Sequence, residues 1–498
     1  MNLAMALEMS AECYPDRIAV TSNGENMTYG ELLAAAKRVA TEIKASGCKY
    51  VGLLDISSMA VPIAVFASAY AGVPYVPLNY RLTKPELEEL LERIAPAYLV
   101  TDTPAISPLK VAEGIKVVLR EDFLKLARSN AAQVEAAPGD PSDVAIQLFT
   151  SGTTGKPKAA VLRHENLMSY ILGTIEFGAA AEEDAVLISV PPYHIAGISA
   201  VLSSTYACRR MVQLPNFDAA TWLQLCRDEK ISNAFVVPTM FSRVIDHLTE
   251  TGEAANLPNL RAIAYGGGKM PLSVIERAMA LLPNADYTNA YGLTETSSTV
   301  CLLTPEDHRS GAASKDPEVH KRLTSVGKPI GSIELIIRDD EGKPLGANQP
   351  GDIFVRGGQV AGEYLGLGSM LDADGWFPTR DRGYLDSYGY LYLEGRADDV
   401  IVRGGENISP GEIEDVLLEH PAVSDIAVVA IPDEQWGENV GAVIVLKEHH
   451  DATVAELQEW VKARLRSSRV PAKIVFKDQL PYNEMGKVLR RLLKKDFS

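Results

Sequence analysis

The sequence predicts a large α/β domain at the N-terminus, its β-sheets flanked by helices, followed by a small α+β domain at the C-terminus. Helical stretches alternate with short β-rich runs from Met1 to about Gly395, the pattern that builds largely parallel sheets. Beyond Gly395 two apolar β-type runs lie between two helix starts, a compact α+β signature. The length of 498 residues exceeds one ordinary core and fits about three folding units or fewer.

In chain order, Tyr29 to Ala45 and Pro85 to Ile94 read as helices, and Tyr98 to Thr101 and Ala185 to Val190 read as strands. Arg128 to Asp143, rich in Ser, Asn, Ala, Gly and Pro, reads as a surface connector leading to a β-like run, Val144 to Phe149. After Gly395 come an apolar run, Val400 to Val402, and a turn at Gly404 and Gly405. Ser409, Pro410 and Glu412 then supply an N-cap, a first-turn proline and an N3 acid, a capping box predicting a helix through Leu418. Strands are expected at Ile426 to Ile431 and Val440 to Leu446. Thr453 and Glu456 open a second helix, with Val454, Leu457, Val461 and Leu465 on one face.

Charge and composition exclude several classes. Apolar residues make up 46% and charged residues 23%, as in an ordinary soluble globular protein. A balance of 48 Lys+Arg against 65 Asp+Glu gives a formal charge of −17, which repels the nucleic-acid backbone. Nucleic acid is therefore not an expected partner, and an anionic ligand needs a local concentration of N–H groups and cations. The five cysteines, Cys13, Cys48, Cys208, Cys226 and Cys301, are widely separated and form no C-x-x-C pair, which fits a reducing cytoplasm. Neither a basic-then-apolar leader nor an uncharged apolar run long enough to span a bilayer is evident.

The most informative motif is Thr150-Ser151-Gly152-Thr153-Thr154-Gly155-Lys156-Pro157-Lys158. Its two glycines and four hydroxyl residues let backbone N–H groups and hydroxyls close around phosphate oxygens, while Lys156 and Lys158 add charge. It is not a Walker A loop, which requires glycine where Thr150 stands and a hydroxyl where Pro157 stands. A flexible Ser/Thr/Gly linker is the bland alternative, but it would not need the buried-looking strand before it.

With this loop, five further motifs occur in order: Asn289 to Thr296, Gly351 to Gly357, Asp381, Gly395 to Asp399, and Gly486-Lys487. Together they resemble the acyl-adenylate-forming superfamily of acyl-CoA synthetases, aryl-CoA ligases, peptide-synthetase adenylation domains and luciferases, from about Thr28 to Arg490. The resemblance implies a large adenylation domain, residues 1–397, joined by a hinge to a small mobile domain, residues 398–498, with ATP, Mg2+ and coenzyme A as its small molecules. Thr150, Ser151, Gly152, Thr153, Thr154, Gly155 and Lys156 would grip the phosphates. Tyr291 offers a ring for adenine to stack on, Thr294 a hydroxyl near the α-phosphate, and Glu295 a hard carboxylate for magnesium. Asp381 would accept from the ribose hydroxyls with Arg396 beside it. Arg380 stands where the family usually has glycine, so the local turn is open to a different geometry.

Lys487 is the implied catalytic cation, stabilising negative charge as a carboxylate attacks the α-phosphate and pyrophosphate leaves. Asp398 corresponds to the hinge and Gly405 to the glycine lining the pantetheine channel, where a missing side chain makes room. Standing alone, each of these has a plainer reading: a core tyrosine, a solvated acid, an ion pair, a solubilising lysine or an ordinary turn. The acyl pocket falls by analogy on His194, the surrounding Tyr193 to Gly197, Phe235 to Phe241, and Gly266, Gly267 and Gly268. No acid is placed there to hold an amino group, so the implied substrate is a bulky apolar aryl, alicyclic or fatty acid. Lys269 would meet a polar group of that acid or point to solvent. The rival readings are an acyl-AMP ligase that loads a separate carrier protein and a catalytically silent nucleotide-binding regulator. The second would be expected to have lost Lys487 or Glu295, and both are present.

Overall fold

The computed structural model describes residues 1–135, 139–150, 157–396, 399–403, 406–433, 435–483 and 487–497. Of the sequence-predicted site, Ser151, Gly152, Thr153, Thr154, Gly155, Lys156, Asp398 and Gly405 lie outside the described residues.

The predicted helices form where the capping chemistry places them. Thr28 and Glu31 close a reciprocal capping box on the helix Tyr29–Ser46, and Gly47, at φ 69°, ends it. Thr83 and Glu86 do the same for Lys84–Ile94. The strand runs appear as Ala97–Thr101, Ala185–Ile188 and Val144–Thr150.

Two large sheets carry most of the chain. One has nine strands, and its centre, from Ile18–Ser22 through Arg210–Gln213, Ala185–Ile188, Asn233–Val236 and Ala262–Gly266 to Asp286–Leu293, is parallel throughout. Neighbouring residues of these strands feed opposite cores: Met211 packs with the helices around Phe66 and Val201, and Val212 packs with those around Trp222 and Phe241. That two-sided burial accounts for strands that read as unbroken apolar runs. The second large sheet has eight strands and is parallel from Lys116–Leu119 to Val144–Thr150, then antiparallel through Lys158–Arg163.

The expectation of largely parallel sheets needs correction. Both large sheets are edged by antiparallel pairs. A third, four-stranded sheet of Glu334–Arg338, Gly351–Arg356, Phe377–Leu385 and Leu391–Arg396 is antiparallel throughout. Short connections force this for pairs such as Ile18–Ser22 with Glu25–Thr28 and Phe377–Leu385 with Leu391–Arg396, because a parallel crossover needs about a dozen residues or more.

The chain from Ile401 onward forms a separate five-stranded sheet with cores on both faces. Along Val423–Asp433, Ile426, Val428 and Ala430 face one core, while Ala427, Val429 and Ile431 face the other, the period-two alternation of a strand covered on both sides. The helix Pro410–Leu418 forms as predicted, but without a cap from Ser409. Ser409 Oγ instead donates to the Glu394 carbonyl, and Glu412 pairs with Arg469 at 3.2 Å, so tertiary partners replace the local box. The helix Val454–Lys462 does close its box with Thr453 and Glu456. Its buried face, however, is Leu457 and Val461 with Trp460 beside them; Val454 is exposed, and Leu465 lies past the helix end.

Candidate active site

The carboxyl ends of the parallel strands in the nine-stranded sheet converge on one region, the usual place for ligands in such sheets. Ala262–Gly266 delivers Gly266, Gly267 and Gly268 there, and Asp286–Leu293 runs straight into the 3-10 turn Thr294–Thr296. Gly266 is required by packing before any question of pocket width, because a Cβ on it would fall 2.2 Å from the Ala290 carbonyl oxygen of the adjacent strand. Gln359, fully buried, donates to the carbonyls of Thr296 at 3.0 Å and Thr299 at 2.8 Å, while Ser332 holds its amide oxygen. The backbone N–H groups of Ala361 and Gly362 donate to the Glu295 carbonyl. The turn bearing Thr294 and Glu295 is thus clamped from both sides.

Glu295 Oε1 accepts from the Tyr364 hydroxyl at 2.5 Å. Tyr364 sits on the short strand Glu363–Tyr364, paired with Lys158–Arg163, so it adjoins the end of the phosphate-gripping loop. Lys158 Nζ lies 5.7 Å from the Tyr364 ring centroid. At the base of that loop, Thr150 pairs in register with Lys158. Arg93 braces both approaches, its guanidinium 4.7 Å from the Phe149 ring centroid and donating to the Pro157 carbonyl at 2.7 Å.

Asp381 and Arg396 are register partners on neighbouring strands, and Arg396 Nε lies 2.9 Å from Asp381 Oδ1. Tyr291 donates its hydroxyl to Asp381 Oδ2 at 2.6 Å and is only 8% exposed, packed with Leu293, Val355 and Phe377. Desolvation, and then the Asp381 charge, raise its pKa well above the ordinary phenol value, so it remains a donor. Burial by itself would lower the Arg396 pKa; Asp381, Tyr291, Glu295 and Asp399 more than offset it.

Lys487 comes from the C-terminal module. Its N–H donates to Asn483 Oδ1 at 2.8 Å, and its carbonyl accepts from Asn483 N at 2.8 Å, which shapes the loop that presents it. Lys487 has accessible surface, yet the cleft walls around it lower its pKa, desolvation first and Arg396 next, against Asp381 and Glu295. His194, the N-cap residue of the helix Ile195–Tyr206, feels the Lys487 charge as well. Burial, then Lys487 and Arg81, bring the imidazole down to about 3, and its buried Nε2 has no hydrogen bond among the described residues. A neutral ring results.

Lys487, Arg396, Asp381, Glu295, Tyr291 and His194 are thus brought together from five separate stretches of chain. Lys269 is exposed to solvent, one of the two expected placements, and there it also pairs with Asp415 on the helix Pro410–Leu418 of the C-terminal module. Tyr364, Gln359 and Arg93 belong to the site although no motif marked them. Tyr364 and Glu295 are 69 positions apart, and Arg93 and Pro157 are 64 apart, separations at which local spacing carries no signal. Among the described residues no group of three or more His, Cys, Asp or Glu side chains could hold a metal by itself. Glu295, with one oxygen taken by Tyr364, still fits a magnesium ion that arrives on ATP phosphates and keeps part of its water shell.

Comparison with known proteins places the chain in a family. The family model of AMP-binding enzymes matches residues 7–365, and that of the AMP-binding enzyme C-terminal domain matches residues 412–487. A 2-succinylbenzoate–CoA ligase from Bacillus licheniformis is 33% identical, with 98% of each chain aligned. A fatty acid–[acyl-carrier-protein] ligase from Streptomyces coeruleorubidus is 31% identical over 100% of this chain and 96% of that protein. Among solved structures, o-succinylbenzoate CoA synthetase from Bacillus subtilis, in complex with its acyl-adenylate intermediate, superposes with a TM-score of 0.83 at 30% identity, covering 98% of this chain and 97% of that one. ATP-bound MatB from Rhodopseudomonas palustris gives a TM-score of 0.88 at 26% identity, covering 100% and 99%.

Proposed function

The chain belongs to the AMP-binding enzyme family, and from that premise we propose that it joins a carboxylic acid to coenzyme A through an acyl-adenylate. In the first step a carboxylate oxygen of the acid bonds to the α-phosphorus of ATP as the bond to the bridging oxygen breaks, and pyrophosphate leaves with the electron pair. In the second step the coenzyme A thiol, losing its proton, bonds through sulfur to the acyl carbon, and AMP departs. The observation that carries this reading is Lys487 standing beside Arg396, Asp381 and Glu295 although it comes from the C-terminal module. A cation held at the α-phosphate stabilises the crowded negative oxygens as they form.

Asp381, an acceptor held by Tyr291 and Arg396, is suited to the two ribose O–H donors. Tyr291 would release Asp381 to the ribose and offer its ring to adenine. Thr294 and the loop from Thr150 to Lys156 would hold the phosphates. Magnesium, when bound, supplies positive charge between the phosphate oxygens; Glu295 is the residue that would hold it. His194, neutral and without a hydrogen bond at Nε2 among the described residues, would border the passage through which acid and thiol enter. Residues 1–397 would then form the adenylation domain and residues 398–498 the mobile one, turning about Asp398 so that a face admitting the thiol, with Gly405 lining the pantetheine channel, replaces the one that carries Lys487.

Gly267 and Gly268, past the packed Gly266, would leave room for a bulky apolar acid, and relatives named for 2-succinylbenzoate and ferulate support an aryl acid. A cytoplasmic setting fits five unpaired cysteines and the absence, among the described residues, of any helix long and apolar enough to cross a membrane. The carrier-protein relative keeps a second acceptor in view. Acid-dependent exchange of labelled pyrophosphate into ATP, over a panel of aryl, alicyclic and fatty acids, tests the first step. Lys487→Ala is expected to reduce the exchange by at least about a hundredfold, the loss typical of a group that stabilises transition-state charge. Addition of coenzyme A, or of a carrier protein, then identifies the acceptor. Exchange that survives in Lys487→Ala would remove the role assigned to this lysine.

A further inference from the structure

We propose that Arg380 binds the pyrophosphoryl end of ATP, as a cation that complements the phosphate-gripping loop; the inference rests on the adenylating reading above and assigns one further residue to it. Arg380 immediately precedes Asp381 on the strand Phe377–Leu385, and its backbone is held at φ 62°. The left-handed region disfavours a residue with a side chain by about 1–2 kcal/mol, whereas glycine enters it freely. A bulky cation held in that conformation beside a candidate nucleotide ligand is the kind of local strain that persists where the side chain has a task.

The surroundings say which task. Arg380 is exposed, and among the described residues its guanidinium enters no hydrogen bond or ion pair. It is close enough for its charge to act on the Tyr364 hydroxyl, as does that of Arg396. Lys158, at the end of the phosphate-gripping loop, lies against the same ring. The charges of Arg380 and Arg396 therefore act on the Tyr364–Glu295 pair, and Lys158 lies against its ring. Arg396 is matched by Asp381 and Glu295 offsets one more positive charge, so a surplus remains. On a chain of net charge −17, this local excess is an anion site. Asp381 would mark the ribose and Lys158 the phosphates; Arg380 directly precedes the first in the chain, and its charge acts on Tyr364, the ring the second lies against. A guanidinium presents paired N–H donors that match two oxygens of one phosphate. As pyrophosphate leaves, the electron pair of the broken bond settles on the oxygens this group would hold.

Direct binding separates this role from a structural one without requiring the acid substrate. Wild-type protein, Arg380→Gly and Arg380→Lys are titrated with MgATP, with magnesium pyrophosphate and with AMP, and each is melted without ligand. Arg380→Gly is expected to bind MgATP and pyrophosphate about tenfold more weakly, the fold-change a single charge-assisted hydrogen bond carries. AMP, which lacks the pyrophosphoryl group, should bind within about twofold of wild type by the same reasoning. The melting temperature should stay level or rise, because glycine relieves the backbone. Arg380→Lys should fall between the two proteins for pyrophosphate. Unchanged MgATP affinity in Arg380→Gly overturns the proposal, and so does an equal loss for AMP, which would mark a distortion of the ribose site. If wild-type protein binds none of the three ligands, the nucleotide reading itself fails.

Discussion

Tyr364 takes one oxygen of Glu295, and the other carboxylate oxygen has no hydrogen bond among the described residues. The phenol thereby fixes the rotation of a carboxylate whose proposed work is to ligate magnesium on the nucleotide. Desolvation and the Glu295 charge both raise the Tyr364 pKa, so the hydroxyl remains a donor across the working pH range. Removing that hydroxyl in Tyr364→Phe should lower kcat/KM for MgATP about tenfold, the scale of a hydrogen bond to a charged group. KM for the acid should not change, and pyrophosphate exchange at varied MgATP reads the split. A loss confined to acid affinity would place Tyr364 in the wrong half of the site. At this scale short motifs pointed to residues that the structure brings together, as with Glu295, Asp381, Arg396 and Lys487. It was silent on Tyr364 and Gln359, whose meaning comes only from distant partners.

The helix His164–Thr174 begins with a buried imidazole whose Nδ1 accepts the Leu3 N–H of the first helix, Leu3–Cys13, at 3.3 Å. Burial lowers the His164 pKa to about 4; the Asp143 charge raises it and the N-terminal amine lowers it further. The unfolded value is about 6.5, so the unfolded chain binds the extra proton between these two values. Stability from a neutral His164 is complete above about pH 6.5 and is lost progressively as the pH falls toward 4. At pH 5 the loss from this residue should be about 1–2 kcal/mol relative to pH 7. Denaturant unfolding of wild type and His164→Asn at both pH values tests this, since an amide oxygen can still accept from Leu3 but does not titrate. Equal pH dependence in both proteins would assign the effect to other groups. Helices were foreseen at Tyr29–Ser46 from helical composition and at Val454–Lys462 from its capping box, although of the face expected on the second only Leu457 and Val461 are buried within it. The antiparallel sheet around Asp381 was not foreseen, because alternation along a strand does not say which strand lies beside it or in which direction. Ser409 shows a tertiary partner, the Glu394 carbonyl, overriding a local capping signal.

Whether adenylation or thiol transfer is favoured depends, on the proposed alternation, on how firmly the C-terminal module holds the orientation that presents Lys487. Lys269, just past Gly268 on the large body, pairs with Asp415 on the first helix of that module, and both side chains are about half exposed. A solvent-exposed pair of this sort contributes about 0.2–1 kcal/mol, so it biases the orientation without locking it, as the proposed alternation requires. Lys269→Glu replaces attraction by repulsion. It should slow single-turnover adenylate formation by about twofold to fivefold, the rate equivalent of that energy, and leave thioester formation from preformed adenylate unchanged or faster. Combining it with Asp415→Lys should restore the first rate, and raising the salt to about 1 M should shrink every difference as the Debye length falls to about 3 Å. Equal slowing of both half-reactions would mean that Lys269 supports the large body itself. Slowing of the first step alone, rescued by the charge swap, would make this contact part of the balance between the two orientations.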